Sequence, residues 1–99
     1  MNDEIRAAVE RLFSACLELT AAGKYHAFCR FEAQVGWVEI EAFPACTDYT
    51  GDHSKHRIIN SRIAVAGWGV ETAEDIARAL SDLNGTTERL YGLTLQEAA

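Results

Sequence analysis

Apolar and polar positions alternate with period two from Lys24 to Phe43, with a single interruption at Ala33-Gln34-Val35-Gly36. Before the interruption Tyr25, Ala27, Cys29, Phe31 and Ala33 share one face, and His26, Phe28, Arg30 and Glu32 share the other. After it Val38, Ile40 and Ala42 alternate with Trp37, Glu39, Glu41 and Phe43. The pattern predicts a β-hairpin in which Phe31 faces Val38, Cys29 faces Ile40, Ala27 faces Ala42 and Arg30 faces Glu39. A slip of two residues keeps the faces but sets Glu32 against Glu39, a like-charge contact, so the first register is preferred. Gln-Val is a poor two-residue turn, and a longer loop using Gly36 is expected.

Upstream, Ile5, Val9, Leu12, Phe13, Cys16 and Leu19 form a stripe at helical spacing over residues 3 to 22. Asn2 or Asp3 can cap this helix and Gly23 can end it in a left-handed conformation. Downstream, Pro44 to His56 is a long polar connection, and Arg57 to Ala66 resumes strand character with Ile59, Ile63 and Val65 on one face. Ser61 falls on that same face, which either buries a hydroxyl or marks an irregularity. Gly67-Trp68-Gly69 breaks the strand, and Thr72 begins a second helix over 73 to 84 with Ile76, Ala77, Leu80 and Leu83 as its buried stripe. Asn84-Gly85 predicts a break before a short C-terminal helix, and Leu93 to Ala99 a frayed tail. The buried set is expected to include Ile5, Val9, Leu12, Phe31, Ile40, Ile63, Ile76 and Leu80. The fold expected is α+β, in the order α-β-β-β-α: a three-stranded antiparallel sheet with two helices on one face, in one domain spanning 1–99.

Composition narrows the function classes. A hydrophobic fraction of 48% with 24% charged residues and one proline is that of a globular domain rather than a disordered chain. Fifteen acidic against nine basic side chains give a net charge of −6, the wrong sign for holding a phosphate backbone, so direct nucleic-acid binding is disfavoured. Three cysteines, Cys16, Cys29 and Cys46, cannot all pair within the chain, and reduced thiols in a cytoplasmic protein are the simplest account. No apolar stretch approaches the length needed to cross a bilayer.

Candidate chemistry is sparse. The 44–56 connection holds Cys46, Asp48, Asp52, His53 and His56, all metal-ligand types, but at irregular spacing and without a C-x-x-C pair. Cys46 with His53 or His56 is the one thiol and base pairing, and nothing at recognisable spacing supplies an oxyanion hole. Gly67-Trp68-Gly69 lacks the later glycine and lysine of a phosphate loop. No metal, no cofactor and no catalysis are expected, a metal- or thiol-dependent enzyme on the 44–56 loop being one rival. The expectation is instead a non-catalytic module, an acidic adaptor or inhibitor occupying a basic surface of a protein partner. Its contact residues are Trp37, Glu39, Glu41 and Phe43 on the outer sheet face, with Phe28 beside them and Trp68 in the break after the third strand. In size, acidity and lack of catalytic motifs the chain is similar to small phage-borne inhibitors such as anti-CRISPR proteins, a likeness of composition that transfers no residues. A second rival is a homodimeric assembly protein joined through the open sheet face.

The metal expectation has a direct check. Chelator should leave the melting temperature unchanged, because a metal coupled to folding contributes stability that chelation removes. Stoichiometric zinc in purified protein, lost together with the fold in Cys46→Ala or His53→Ala, would be the contrary result.

Overall fold

Asn2 starts the first helix, its side-chain carbonyl accepting from the amides of Glu4 and Ile5 at 2.7 and 3.1 Å. Helix α1, Asp3–Ala22, ends at Gly23, whose φ of 102° is the left-handed cap that a side chain would resist. The computed structural model describes the backbone of residues 1–98 and all of their side chains except those of Trp68, Glu97 and Ala98. Three strands follow α1: β1, Tyr25–Glu32; β2, Trp37–Pro44; and β3, Ile59–Ala64. Short 3₁₀ turns at Ser54–His56 and Gly67–Val70 flank β3, and helix α2, Ala73–Ala98, closes the order.

The sheet is antiparallel in the order β1-β2-β3. Its first pairing has the expected register, with Phe31 opposite Val38, Cys29 opposite Ile40, Ala27 opposite Ala42 and Arg30 opposite Glu39. The connection is four residues, Ala33 to Gly36, and Gly36 adopts φ 73° with its amide on the Glu32 carbonyl at 2.9 Å. A Cβ at Gly36 would run into the Ala66 carbonyl oxygen, so a close backbone approach also requires glycine there.

Both helices lie on the inner face of the sheet and run in the same direction. Arg11 donates to the Asn84 side chain at 3.1 Å, and seven residues along each helix Tyr91 lies beside Glu18, whose carboxylate pushes the phenol above its ordinary value. The core between these layers holds Ile5, Leu12 and Leu19 from α1, Val38, Ile40 and Ala42 from β2, and Leu83 and Leu90 from α2.

Several sequence expectations need correction. Phe31 is 46% exposed, because β1 is an edge strand with a neighbour on one side only, whereas Val38 opposite it is fully buried. Val9, Ile76 and Leu80 pack against the core but are only partly buried, and Ala77 is exposed. The buried stripe of α2 is instead Ala79, Leu83, Thr86, Thr87 and Leu90. Small buried residues, Ala8 and Ala15 on α1 and Ala79 on α2, leave room for close packing. Thr86 and Thr87 satisfy their hydroxyls on the Asp82 and Leu83 carbonyls, both at 2.8 Å.

The break at Asn84-Gly85 does not occur, and α2 continues through the stretch expected to fray as far as Ala98. Ala99 lies outside the described residues. A glycine within a helix costs about 1 kcal/mol relative to alanine, and burying a leucine returns roughly 1.5–3 kcal/mol. Leu83 and Leu90 on either side of Gly85 are both fully buried, so packing overrides propensity. No helix among the described residues is long and apolar enough to cross a membrane.

The two glycines should respond oppositely to substitution. A Cβ at Gly85 meets nothing within 4 Å, so Gly85→Ala should raise the unfolding free energy in urea by about 1 kcal/mol. Gly36→Ala should lower it by more than about 1 kcal/mol, since both its φ and its contact with Ala66 oppose a side chain.

Candidate protein interface

The outer face of the sheet carries no helix, and period two delivers His26, Phe28 and Arg30 from β1, Trp37, Glu39, Glu41 and Phe43 from β2, and Asn60 and Arg62 from β3 to it. Charged side chains here pair across strands. Arg30 Nη2 donates to Glu39 Oε2 at 2.5 Å, and Arg62 Nη2 donates to Glu39 Oε1 at 2.9 Å. Arg57, from the approach to β3, donates to Glu41 Oε2 at 2.8 Å, and Arg30 also lies 3.6 Å from Glu41 Oε1. Every oxygen of these two carboxylates therefore faces a guanidinium. The hydrogen bond from Arg30, with Arg62 beside it, holds the Glu39 carboxyl below its ordinary value.

Trp37 is half-buried at the end of this ladder, with the Arg62 guanidinium stacked 4.4 Å from its ring centroid. Its Nε1 is buried and has no hydrogen-bond partner among the described residues. An unmade bond of this kind costs roughly 1–3 kcal/mol, comparable to what the cation–π contact can return. Trp37 is thus held in place by Arg62 rather than projecting from the surface.

Phe43 occupies the other end and is 2% exposed, which corrects its assignment as an exposed contact residue. The 44–56 connection is the cause. It folds back over the sheet so that Tyr49 and His53 meet the Phe43 ring edge-on at centroid distances of 5.5 and 5.2 Å. Phe28 completes the cluster, 5.8 Å from Tyr49 and 5.9 Å from Phe43. A hydrogen bond of 3.1 Å between His26 Nδ1 and the Tyr49 hydroxyl pins the segment to β1. His53 is half-buried in this packing, while Cys46, Asp48, Asp52 and His56 are exposed.

Phe28, Tyr49 and His53 together with Arg30, Glu41 and Phe43 line an open groove of about 350 Å³. Phe28 remains 40% exposed at its wall. Asp48 precedes Tyr49 and Asp52 precedes His53 in the chain, and each is held below its ordinary value by a hydroxyl and an amide donor, from Thr50 and Ser54 respectively. The six contact residues read from sequence thus separate: Phe28, Phe43 and Glu41 meet at the groove, Trp37 and Glu39 meet at the Arg62 end, and the Trp68 side chain lies outside the described residues. Sequence reasoning missed Tyr49 and His53. The signal available was one large aromatic in an otherwise polar connection, four residues before a histidine.

The cysteines are all free, with Cys16 buried, Cys29 half-buried and Cys46 exposed. Cys29 lies beside Cys16, and this neighbour together with burial pushes the Cys29 thiol well up. Among the described residues no group of three or more His, Cys, Asp or Glu side chains is placed to hold a metal ion.

The Glu39 pairing has a pH signature. Its carboxyl titrates lower when folded than when unfolded, so the stability it contributes is complete above the ordinary glutamate value near 4.3 and is lost as pH falls through the folded value. In acid unfolding curves Glu39→Gln should flatten the loss of stability below about pH 4. An unchanged slope would mean that the pair is solvent-separated in solution.

Comparison of the chain with known protein families, with curated proteins and with solved structures finds no match.

Proposed function

We propose that the chain is a non-catalytic protein-binding module, an acidic adaptor or inhibitor, that seats a basic segment of a protein partner on the outer face of its sheet. The contact centre in this reading is the groove of Phe28, Tyr49 and His53. The observation that carries it is a half-exposed aromatic groove on a sheet face without helices, bordered in the chain by the exposed carboxylates Asp48 and Asp52. Aromatic faces beside carboxylates suit an arginine or lysine, whose stem packs on the rings while its charge meets the acids. Glu39 and Glu41 serve less well, because a basic partner would have to displace Arg30, Arg57 and Arg62 from them. The net charge of −6 supports attraction at longer range.

The test starts with an unbiased pull-down on the immobilised chain, followed by binding measurements with the recombinant partner. Phe28→Ala should weaken binding by roughly 2 kcal/mol or more while leaving the fold intact. The Asp48→Lys, Asp52→Lys double variant should slow association and reduce its dependence on salt. Binding that survives both sets of changes would overturn the proposal. A dimeric mass that shifts toward monomer in Phe28→Ala would transfer this face to self-association.

A further inference from the structure

Two departures from local rules meet at one place in the fold. Gly85 lies inside α2 without ending it, and Ser61 puts a half-buried hydroxyl on the otherwise apolar inner face of β3. Both line an open depression of about 400 Å³ between α2 and the sheet, together with Ile63, Asp82 and Arg89. A Cβ at residue 85 would meet nothing within 4 Å, so the missing side chain is space on the groove wall. Consistency between levels is the norm in folded chains, and places where two local preferences are set aside together are where function is expected.

The floor of the groove is a strand edge. β3, like β1, is an edge strand of the sheet, and the Val65 amide donates to the Gly36 carbonyl at 2.8 Å, which sets the main-chain groups of the odd-numbered residues of β3 toward β2. The main-chain N–H and C=O groups of Asn60 and Arg62 therefore point away from the sheet, with no strand beside them. Arg89 donates to the Ile58 carbonyl at 3.2 Å at one end of this edge. Asp82, exposed on the α2 side, carries no ion pair among the described residues.

We propose that this groove takes an extended polypeptide segment of a protein partner, added as a fourth strand along β3 beneath α2, with a small side chain over Gly85 and a lysine or arginine against Asp82. Main-chain hydrogen bonds to Asn60 and Arg62 supply affinity that is indifferent to sequence, and side-chain pockets supply selectivity, as in other cases of strand addition. Ser61 offers a hydroxyl to the segment where an aliphatic residue would close the groove. Of the charged side chains lining the groove, Arg62 is committed to Glu39 and Arg89 to the Ile58 carbonyl, so the unpaired Asp82 carboxylate sets the preference for a basic residue. The site is separate from the aromatic groove, and neither depends on the other.

The full chain panned against phage-displayed random linear peptides, with Gly85→Leu panned in parallel, tests it. Peptides enriched on the wild type should carry a basic residue, slow amide exchange at Asn60 and Arg62, and lose roughly tenfold or more in affinity for Gly85→Leu. That variant fills the groove from a position with open space around it, and circular dichroism reports whether its helix is kept. Asp82→Lys gives a second readout should Gly85→Leu misfold, and it should abolish the preference for basic peptides. Panning on Phe28→Ala removes peptides that the outer-face groove would take, so those enriched on it report this site alone. The proposal is overturned if no peptide is enriched, if enriched peptides bind Asp82→Lys equally well, or if protection appears elsewhere in the chain. A dimer whose Asn60 and Arg62 amides are protected without peptide would also overturn it, by giving the edge to a second copy.

Discussion

The central strand constrains everything else. β2 is paired along both edges, and Val38, Ile40 and Ala42 on its inner face are wholly buried. Shifting its register by one residue would drive Glu39 and Glu41 into the core, where an unpaired carboxylate costs several kcal/mol even after relaxation. Shifting it by two would part Arg30 from Glu39, a loss of at most about 1 kcal/mol for a surface pair, but would also carry Gly36 away from the one position where Ala66 tolerates no side chain. The heavier penalty selects the face and the lighter ones select the register within it. Once β2 is set, Arg30 and Arg62 converge on Glu39 from opposite neighbours without any further instruction.

The same strand explains why the 44–56 connection is ordered against the sheet. Period two obliges Phe43 to the outer face, where no helix waits to cover it. An aromatic ring of that size left in water forgoes roughly 1.5–3 kcal/mol, and Tyr49 and His53 recover it by folding over the ring. Their own rings and that of Phe28 then become the new surface. Covering Phe43 thus relocates the exposed aromatic patch by one layer, from the strand to the connection that follows it.

Legibility in the sequence tracked how many residues shared each signal. The hairpin rested on many alternating positions and one glycine, and its pairing was readable residue by residue. Asn2, Gly23 and Thr72 were readable as helix ends because capping is a local interaction: the Thr72 hydroxyl accepts from the Asp75 amide at 3.1 Å. The break that Gly85 predicts is absent because propensity is local, whereas the burial of Leu83 and Leu90 depends on α1 and the sheet being present. Phe31 is more exposed than its place in the pattern predicts because alternation reports which face a residue takes and not whether a layer extends over it. Tyr49 and His53 gave no periodic signal at all, and the groove they form came only from the path of the chain.

Charge that serves the fold can be separated from charge that does not. Arg30, Arg57 and Arg62 are committed to Glu39 and Glu41, so the outer ladder is close to neutral and the excess of acid lies elsewhere. Asp3, Glu4, Glu74 and Asp75 stand in the first turns of the two helices, where the dipole favours a negative charge, and Asp75 also accepts from the Glu71 and Thr72 amides. These carboxylates have structural employment. Asp82 has none: it sits well inside α2, beyond the reach of the helix N-terminus, and carries no ion pair among the described residues. Asp48 and Asp52 organise their own turns through Thr50 and Ser54, yet both remain exposed, next in the chain to Tyr49 and His53. Replacing structural carboxylates would change stability before anything else, whereas Asp82 can be altered with the scaffold intact and Asp48 and Asp52 at the cost of their local turns. The fold thus claims part of the chain's acidity, and of the carboxylates it leaves without an ion pair among the described residues, Asp82 is the one that lines the groove under α2.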